Sequence, residues 1–168
     1  SVESNHMMTV SARADLTRCI GARVAGAAAL AAADLAIDDV PLLELYSCFP
    51  IAVETYAEAL GIADSRPLTL TGGMPFAGGP FNNYVFQASC RAAELLRARG
   101  NGSALVSSVS GMLTEQGFGL WATAPGPRGF VHADVSAAVA AEARTVEVLD
   151  TFHGAVKVAG YTVLRGRD

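Results

Sequence analysis

The stretch LTGGMPFAGGPFNNYV, residues 70–85, joins a short apolar run to a segment with helical periodicity. It holds four glycines, two prolines and two adjacent asparagines in sixteen positions. Glycine permits backbone conformations with positive φ and lets another group approach the main chain closely. The composition therefore predicts a tight loop, and it leaves open whether this loop binds a ligand or only turns the chain.

The segments on both sides of this loop alternate between helix and strand. Helices are predicted over residues 17–35, from Pro50 to a stop at Gly61, and over residues 83–98. Strands are predicted over residues 42–46, 66–71 (RPLTLT), 103–111 (SALVSSVSG) and 117–124 (GFGLWATA). This alternation indicates an α/β fold with a partly parallel sheet.

The two ends of the chain differ from this middle part. Residues 1–16, SVESNHMMTVSARADL, are predicted to form a polar loop without the features of a secretory signal. A short helix is expected within residues 133–143, and a β-strand over residues 153–168, HGAVKVAGYTVLRGRD. An unpaired strand exposes backbone donors and acceptors, so we expect this one to pair with another chain or with further sequence.

Composition excludes several classes of function. The chain is 51% hydrophobic and 17% charged with a net charge of −4, which gives no basic face for nucleic acid and predicts a large core or a subunit interface. No apolar run is long enough to span a bilayer. The three cysteines form neither a disulfide framework nor a metal-binding pair, which fits a reduced, cytoplasmic compartment.

Three stretches, taken in order, resemble motifs of a known family. ELYSCFP (residues 44–50), GGMPFAGGPFNNYV (72–85) and ALVSSVSGM (104–112) are similar to the H-D-C-F or N-E-A-F motif, the G-H-P glycine loop and the C-x-G strand of the thiolase superfamily. The resemblance covers residues 10–124 and is to the C-terminal half, particularly of the sterol-carrier-type and thiolase-like branch. An unrelated α/β fold is the alternative.

The resemblance implies a fold and a division into domains. Residues 1–124 are expected to form a thiolase-like C-terminal domain with a layered α/β fold. Residues 125–168 are interpreted as a linker, a short helix and a terminal β-strand that starts an extra β domain.

The chain departs from the family at the residues that carry thiolase chemistry. Thiolases act on coenzyme A thioesters with a cysteine from the N-terminal half, a histidine and a second cysteine. The alignment places Gly79 at the histidine of G-H-P and Val109 at the cysteine of C-x-G, while Gly111 retains the motif glycine. Tyr46 takes the position of the His or Asn in the first motif. None of the three histidines, His6, His132 and His153, lies in a motif.

Candidate site residues follow from this alignment. The catalytic candidates are Tyr46, Cys48 and Tyr84, and the substrate-binding candidates are Gly78, Gly79, Asn82, Asn83, Gly111 and Gln116. No metal ligands are expected.

Each candidate has a purely structural alternative. Cys48 precedes a helix N-terminus, which could lower its thiol pKa, but it could also be a small packed residue. Tyr46 could be a core tyrosine, Asn83 a helix N-cap, and Gln116 a solvent-facing turn residue. Cys19 and Cys90 are expected to be packing residues.

The resemblance implies an acyl-CoA site and a dimer interface in a protein of lipid or sterol acyl-CoA metabolism, related to acetyl-CoA acetyltransferases. The expected ligand is a coenzyme A thioester, with no covalently bound cofactor. The expected partner is a second copy or a chain that supplies the N-terminal thiolase half. We expect no standard thiolase activity from this chain alone. A non-catalytic acyl-CoA-binding or structural subunit, and a retro-aldol acyl-CoA lyase assembly that uses tyrosine hydroxyls, are the alternatives.

Overall fold

The computed structural model describes residues 1–158 and 160–166. Five strands and five α-helices occur in these residues, in the chain order β1 Val2–Asn5, α1 Ile20–Ala33, β2 Leu42–Glu44, α2 Pro50–Leu60, α3 Met74–Ala77, α4 Tyr84–Arg99, β3 Ser103–Ser110, β4 Glu115–Ala122, β5 Ala133–Asp134 and α5 Ser136–Glu142. Short 3₁₀ turns lie at Val10–Ala12, Ile37–Asp39 and Phe81–Asn83.

The strands form one mixed sheet in the order β2-β3-β4-β1-β5. β2 and β3 are parallel, β3 and β4 form an antiparallel pair, and β1 is antiparallel to β4 and parallel to β5. The prediction of an α/β fold with a partly parallel sheet is therefore confirmed.

Helices cover the sheet on both faces. α1 and α2 pack on one face, in a core that includes Ala25, Tyr56 and Phe118. α4 packs on the other face and buries Tyr84, Ala88, Ala92 and Leu96, which are four residues apart and therefore share one side of the helix. The buried alanines and glycines of α1 and the buried alanines of α4 let these two helices approach the sheet closely.

The helix boundaries follow from local sequence. α2 begins at Pro50, where the missing N–H is not needed, and ends before Gly61, which adopts a left-handed conformation with φ 67°. Gly100 ends α4 in the same way, with φ 74°. Both predicted helix ends are confirmed.

The N-terminal segment differs from its prediction as a polar loop. Residues Val2–Asn5 form β1, which lies between β4 and β5. Val2 and Ser4 are buried while Glu3 and Asn5 are exposed. The alternation covers only four residues, three of them polar, so the pattern was too short to distinguish from a loop.

The predicted strand RPLTLT is also absent. Residues 66–71 run beside β2 with one backbone ladder bond, from Leu45 N to Leu68 O (2.9 Å). The next N–H groups, of Leu70 and Thr71, donate to the side chain of Glu44 and not to a strand. The segment is thus fixed by a carboxylate instead of a neighbouring backbone.

The C-terminal segment holds two further differences. The short helix is confirmed as α5, which packs with β5 on the rest of the domain. The predicted terminal strand over residues 153–168 is wrong for 153–158 and 160–166, which have no helix or strand and are exposed. Ala159, Arg167 and Asp168 of that prediction lie outside the described residues. The domain boundary between residues 124 and 125 stays a prediction.

The cysteines separate into two groups. Cys19 is buried, which confirms its prediction as a packing residue. Cys90 is exposed, so its prediction as a packing residue is wrong. Cys90 lies on α4, on the side of the helix that faces away from the sheet. The side that packs on the sheet carries Tyr84, Ala88 and Ala92.

Candidate functional site

The three motifs meet at a cavity of about 610 Å³ on the α4 side of the sheet. Tyr46 reaches it from the end of β2, Asn82 from the turn before α4, and Val109 from β3. Residues of β1 and β4 close the other side. We call this space the motif cavity.

Tyr46 is one of the motif residues that bring a free functional group to this cavity. Its backbone N–H donates to Ser107 Oγ (2.9 Å), and its ring packs edge-on to Tyr84 with ring centroids 5.4 Å apart. Its hydroxyl makes no hydrogen bond within the described residues. Burial, followed by the nearby thiol of Cys48, raises the pKa of this hydroxyl. Tyr46 therefore keeps its proton at neutral pH and can donate a hydrogen bond to a ligand.

Tyr84 lies behind Tyr46 in a buried polar network. Its hydroxyl donates to Glu44 Oε1 (2.7 Å), and it is also 2.9 Å from Thr71 Oγ1 and 3.3 Å from Ser47 Oγ. Burial raises the pKa of Tyr84, with Ser47 and Thr71 acting in the opposite direction. The hydroxyl of Tyr84 is thus already hydrogen-bonded inside the protein, and Tyr84 does not line the cavity.

Glu44 is the centre of that network and is fully buried. Its carboxylate accepts hydrogen bonds from Tyr84, from Thr71 Oγ1 (2.8 Å), from Thr71 N (3.0 Å) and from Leu70 N. Buried carboxylates are tolerated when several donors surround them. Glu44 was not among the predicted site residues, although an acidic residue inside the apolar run LLEL indicates a buried polar group.

The network also attaches the glycine loop to β2. Met74 N donates to Ser47 Oγ (2.9 Å), and Gly73 N donates to Thr71 Oγ1 (3.1 Å). Gly73 and Gly78 have positive φ values of 80° and 84°, a region that residues with a side chain rarely adopt. The loop shape is therefore set by two hydroxyls and by glycines.

The position that carries the histidine in the family is sterically open. Gly79 does not have a positive φ, and a Cβ built on it would meet only Met74 Sδ, at 3.7 Å. A Cβ therefore fits at this position, and the backbone of the loop does not require glycine there.

Five of the predicted site residues do not line the motif cavity: Cys48, Gly78, Gly79, Asn83 and Gly111. Cys48 is exposed, and partial burial raises its thiol pKa despite hydrogen bonds from the N–H groups of Phe49 and Cys48 itself. Asn83 makes no side-chain capping bond at the start of α4. Gly78, Gly79 and Gly111 lie in loops, Gly111 in the turn between β3 and β4. Their roles stay predictions.

Gln116 lies inside β4 and not in a turn. Its side chain is 4% exposed, and its Oε1 accepts a hydrogen bond from Ser4 Oγ (2.8 Å). Its Nε2 has no hydrogen-bond partner within the described residues. Gln116 borders the motif cavity and also a second cavity near α1.

In the part of the chain that the structure describes, no histidine lines the motif cavity. His132 lies at the β5 end, with Nε2 3.6 Å from Glu3 Oε1. In the described residues no three His, Cys, Asp or Glu side chains are grouped as a metal site. Among residues 1–158 and 160–166, no helix has both the length and the apolar character needed to cross a bilayer.

In sequence and in fold, this chain is similar to the C-terminal half of thiolase-superfamily proteins. Residues 2–79 match the family described as "Thiolase C-terminal domain-like". The crystal structure of a monomeric SCP2-thiolase-like protein type 1 from Mycobacterium smegmatis matches with a TM-score of 0.76 and 30% identity, over 88% of this chain. The prediction of a thiolase-superfamily C-terminal half with a thiolase-like fold is confirmed.

Two facts limit this similarity. The chain spans about a third of the solved structure that it matches, because 33% of that structure is covered. A search of curated proteins found no match.

Proposed function

We propose that this chain is the C-terminal half of a thiolase-like protein and binds an acyl-CoA thioester at the motif cavity, without standard thiolase turnover of its own. The observation that carries the proposal is the glycine loop. Its hydrogen bonds to Ser47 and Thr71 hold a defined shape, yet Gly79 and Val109 offer no group for proton transfer. Such a site can bind the substrate class of the family while lacking its acid and base.

The proposed binding contacts come from the residues that the cavity brings together. Tyr46 supplies a protonated hydroxyl and Asn82 an amide, both suited to the carbonyl and amide groups of an acyl-pantetheine. Glu44 and Tyr84 act behind them by fixing the loop. Gln116 borders the same cavity.

The proposed partner is the N-terminal half of a thiolase-like protein. Phe76, Phe81 and Phe86 are between 72% and 88% exposed on the α4 side of the domain, which is a large apolar area to leave in water. The solved relative is described as monomeric and is about three times as long as the matched region. This supports an N-terminal half as the covering partner over a second copy of this chain. A homodimer is the competing arrangement.

Binding is tested by thermal and chemical unfolding of the 168-residue chain with acetyl-CoA and with free coenzyme A. A ligand at 100 times its Kd is expected to stabilise the fold by about 2.7 kcal/mol. Asn82→Leu should remove most of this stabilisation, whereas Glu94→Gln, an exposed change on α4, should leave it intact. If neither ligand stabilises the chain, a purely structural subunit is the better assignment.

The wider role is proposed from the family alone. The parent protein would act in lipid or sterol acyl-CoA metabolism, in a reduced cytoplasmic compartment.

A retro-aldol acyl-CoA lyase assembly is the second candidate function. It is favoured by the Tyr46 hydroxyl, which has no hydrogen-bond partner in the described chain and whose pKa is raised by burial. A hydroxyl of this kind can stabilise a developing oxyanion by hydrogen bonding. Tyr46→Phe in the complete assembly should lower kcat by about tenfold or more. Unchanged turnover would remove Tyr46 from the mechanism.

A further inference from the structure

A second cavity of about 610 Å³ lies on the opposite face of the sheet from α4. It is bounded by the first turn of α1, the end of α5 and the start of β4. Tyr46, Asn82 and Val109, which line the motif cavity, do not line this one. We call it the α1 cavity, and it is separate from the acyl-CoA site proposed above.

The floor of the α1 cavity holds a buried donor without an acceptor. The amide of Gln116 packs directly on Gly21 of α1, and a Cβ at Gly21 would overlap the amide oxygen. The amide therefore faces the α1 side. Oε1 is occupied by Ser4, but Nε2 has no partner within the described residues. Most buried amide donors in native proteins have an acceptor, so Gln116 Nε2 is a donor that can serve a ligand.

The wall of the cavity carries one more basic than acidic side chain among its arginines and carboxylates. It carries four arginines, Arg13, Arg18, Arg23 and Arg144, and three acids, Asp15, Glu58 and Glu142. Two of the acids are already paired. Arg23 contacts Glu142, and the carboxylate of Asp15 accepts from Thr17 N and Oγ1 and lies 3.7 Å from Arg18.

Two of the arginines have no acidic partner in the described residues. The Arg13 guanidinium donates to the carbonyl oxygens of Met8 (3.4 Å) and Met112, and Arg144 makes no salt bridge. The first turn of α1 adds the positive end of a 14-residue helix, which has no acidic residue there and no side-chain cap.

The donors reach the α1 cavity from different directions. Arg13 precedes α1, Gly21 belongs to its first turn, Gln116 lies in β4 and Arg144 follows α5. Donors spread in this way suit a tetrahedral oxyanion better than a flat carboxylate. The volume also exceeds that of a bare phosphate ion. We propose that the α1 cavity binds a small organic phosphate, with an acceptor oxygen at Gln116 Nε2 and the phosphoryl group among the arginines.

The test is titration of the ¹⁵N-labelled 168-residue chain, followed by NMR, with inorganic phosphate, glycerol 3-phosphate and acetate. We expect saturable shifts of the Gln116 side-chain amide and of the Gly21 and Ala22 backbone amides. Glycerol 3-phosphate should bind more tightly than inorganic phosphate. Arg13→Gln combined with Arg144→Gln should weaken binding by about tenfold or more.

The controls separate this site from the acyl-CoA site. Arg97→Gln, at the end of α4, should leave phosphate binding unchanged, and the double variant should still be stabilised by acetyl-CoA. Loss of phosphate binding and loss of acetyl-CoA binding are thus measured separately, so a failure of one proposal can be told from a failure of the other. The proposal is overturned if phosphate causes no saturable shift at Gln116, if acetate binds as tightly as phosphate, or if Arg97→Gln weakens binding as much as the double variant.

Discussion

Glu44 connects three parts of the chain that are distant in sequence. It lies at the end of β2, and its carboxylate receives donors from Leu70 and Thr71 in the next loop and from Tyr84 at the start of α4. Inside a protein a carboxylate without donors is strongly destabilising, so each of these bonds matters more than it would in water. The shape of the glycine loop thus depends on one acidic residue.

Removal of the Tyr84 hydroxyl is expected to destabilise the fold. Tyr84→Phe takes one donor from a fully buried carboxylate and should lower the free energy of unfolding by about 1–3 kcal/mol. Urea denaturation measures the change. Tyr46→Phe is the matched control, because its hydroxyl has no partner in the described chain, and it should cost less than about 0.5 kcal/mol. Equal losses for the two variants would contradict the network.

The thiols should differ in reactivity. Cys48 and Cys90 are exposed and should react with a disulfide reagent in the native chain, while buried Cys19 should react only on unfolding. Partial burial raises the pKa of Cys48, so its thiolate fraction at neutral pH is smaller than that of an ordinary thiol. In a Cys90→Ser variant, the reaction rate should therefore keep rising at pH values where an ordinary thiol has levelled off. A pH profile of the rate measures this, and rapid modification of native Cys19 would contradict it.

Sequence patterns predicted some individual residues and missed others. Gly61 was predicted as a helix stop because local chain geometry alone decides that role. Glu44 and Gln116 were missed as buried polar residues because their environments come from strands and loops far away in sequence. The alternation of polar and apolar residues along one segment does not indicate which distant residues will surround a side chain.

The glycine loop contains two adjacent glycines that should tolerate substitution differently. Gly78 has φ 84° and ψ 159°, a conformation almost confined to glycine, so Gly78→Ala should cost about 1–3 kcal/mol. Gly79 does not have a positive φ and has space for a Cβ, so Gly79→Ala should change stability by less than about 0.5 kcal/mol. Thermal unfolding of both variants measures the difference. Greater damage from Gly79→Ala would mean that the loop has another shape.

The elements were predicted best where local sequence specifies both ends. α2, α4 and the β3–β4 pair were expected and are present. The segment 66–71 has the composition of a strand, but its donors bind the carboxylate of Glu44 in place of a neighbouring strand. β1 was missed because its four residues acquire their alternating burial only between β4 and β5.

The two chain ends should contribute very unequally to stability. All described residues from 147 onward are exposed, so deletion of residues 147–168 should change the free energy of unfolding by less than about 0.5 kcal/mol. Deletion of residues 1–5 removes β1 with its buried Val2 and its ladder bonds, and should cost about 3 kcal/mol or more. Urea denaturation of both truncated chains measures this. Equal effects would contradict the sheet order.

The position of β1 has a consequence for how the chain reaches its folded state. β1 is the first of the five described strands in chain order, yet its two neighbours are β4 and β5, with Val2 opposite Phe118 on one side and Ala133 on the other. The sheet cannot close until almost the whole domain has been synthesised. Contacts between such distant residues slow folding, because a long loop must be ordered before they form. Until then the new chain keeps apolar strand and helix faces exposed.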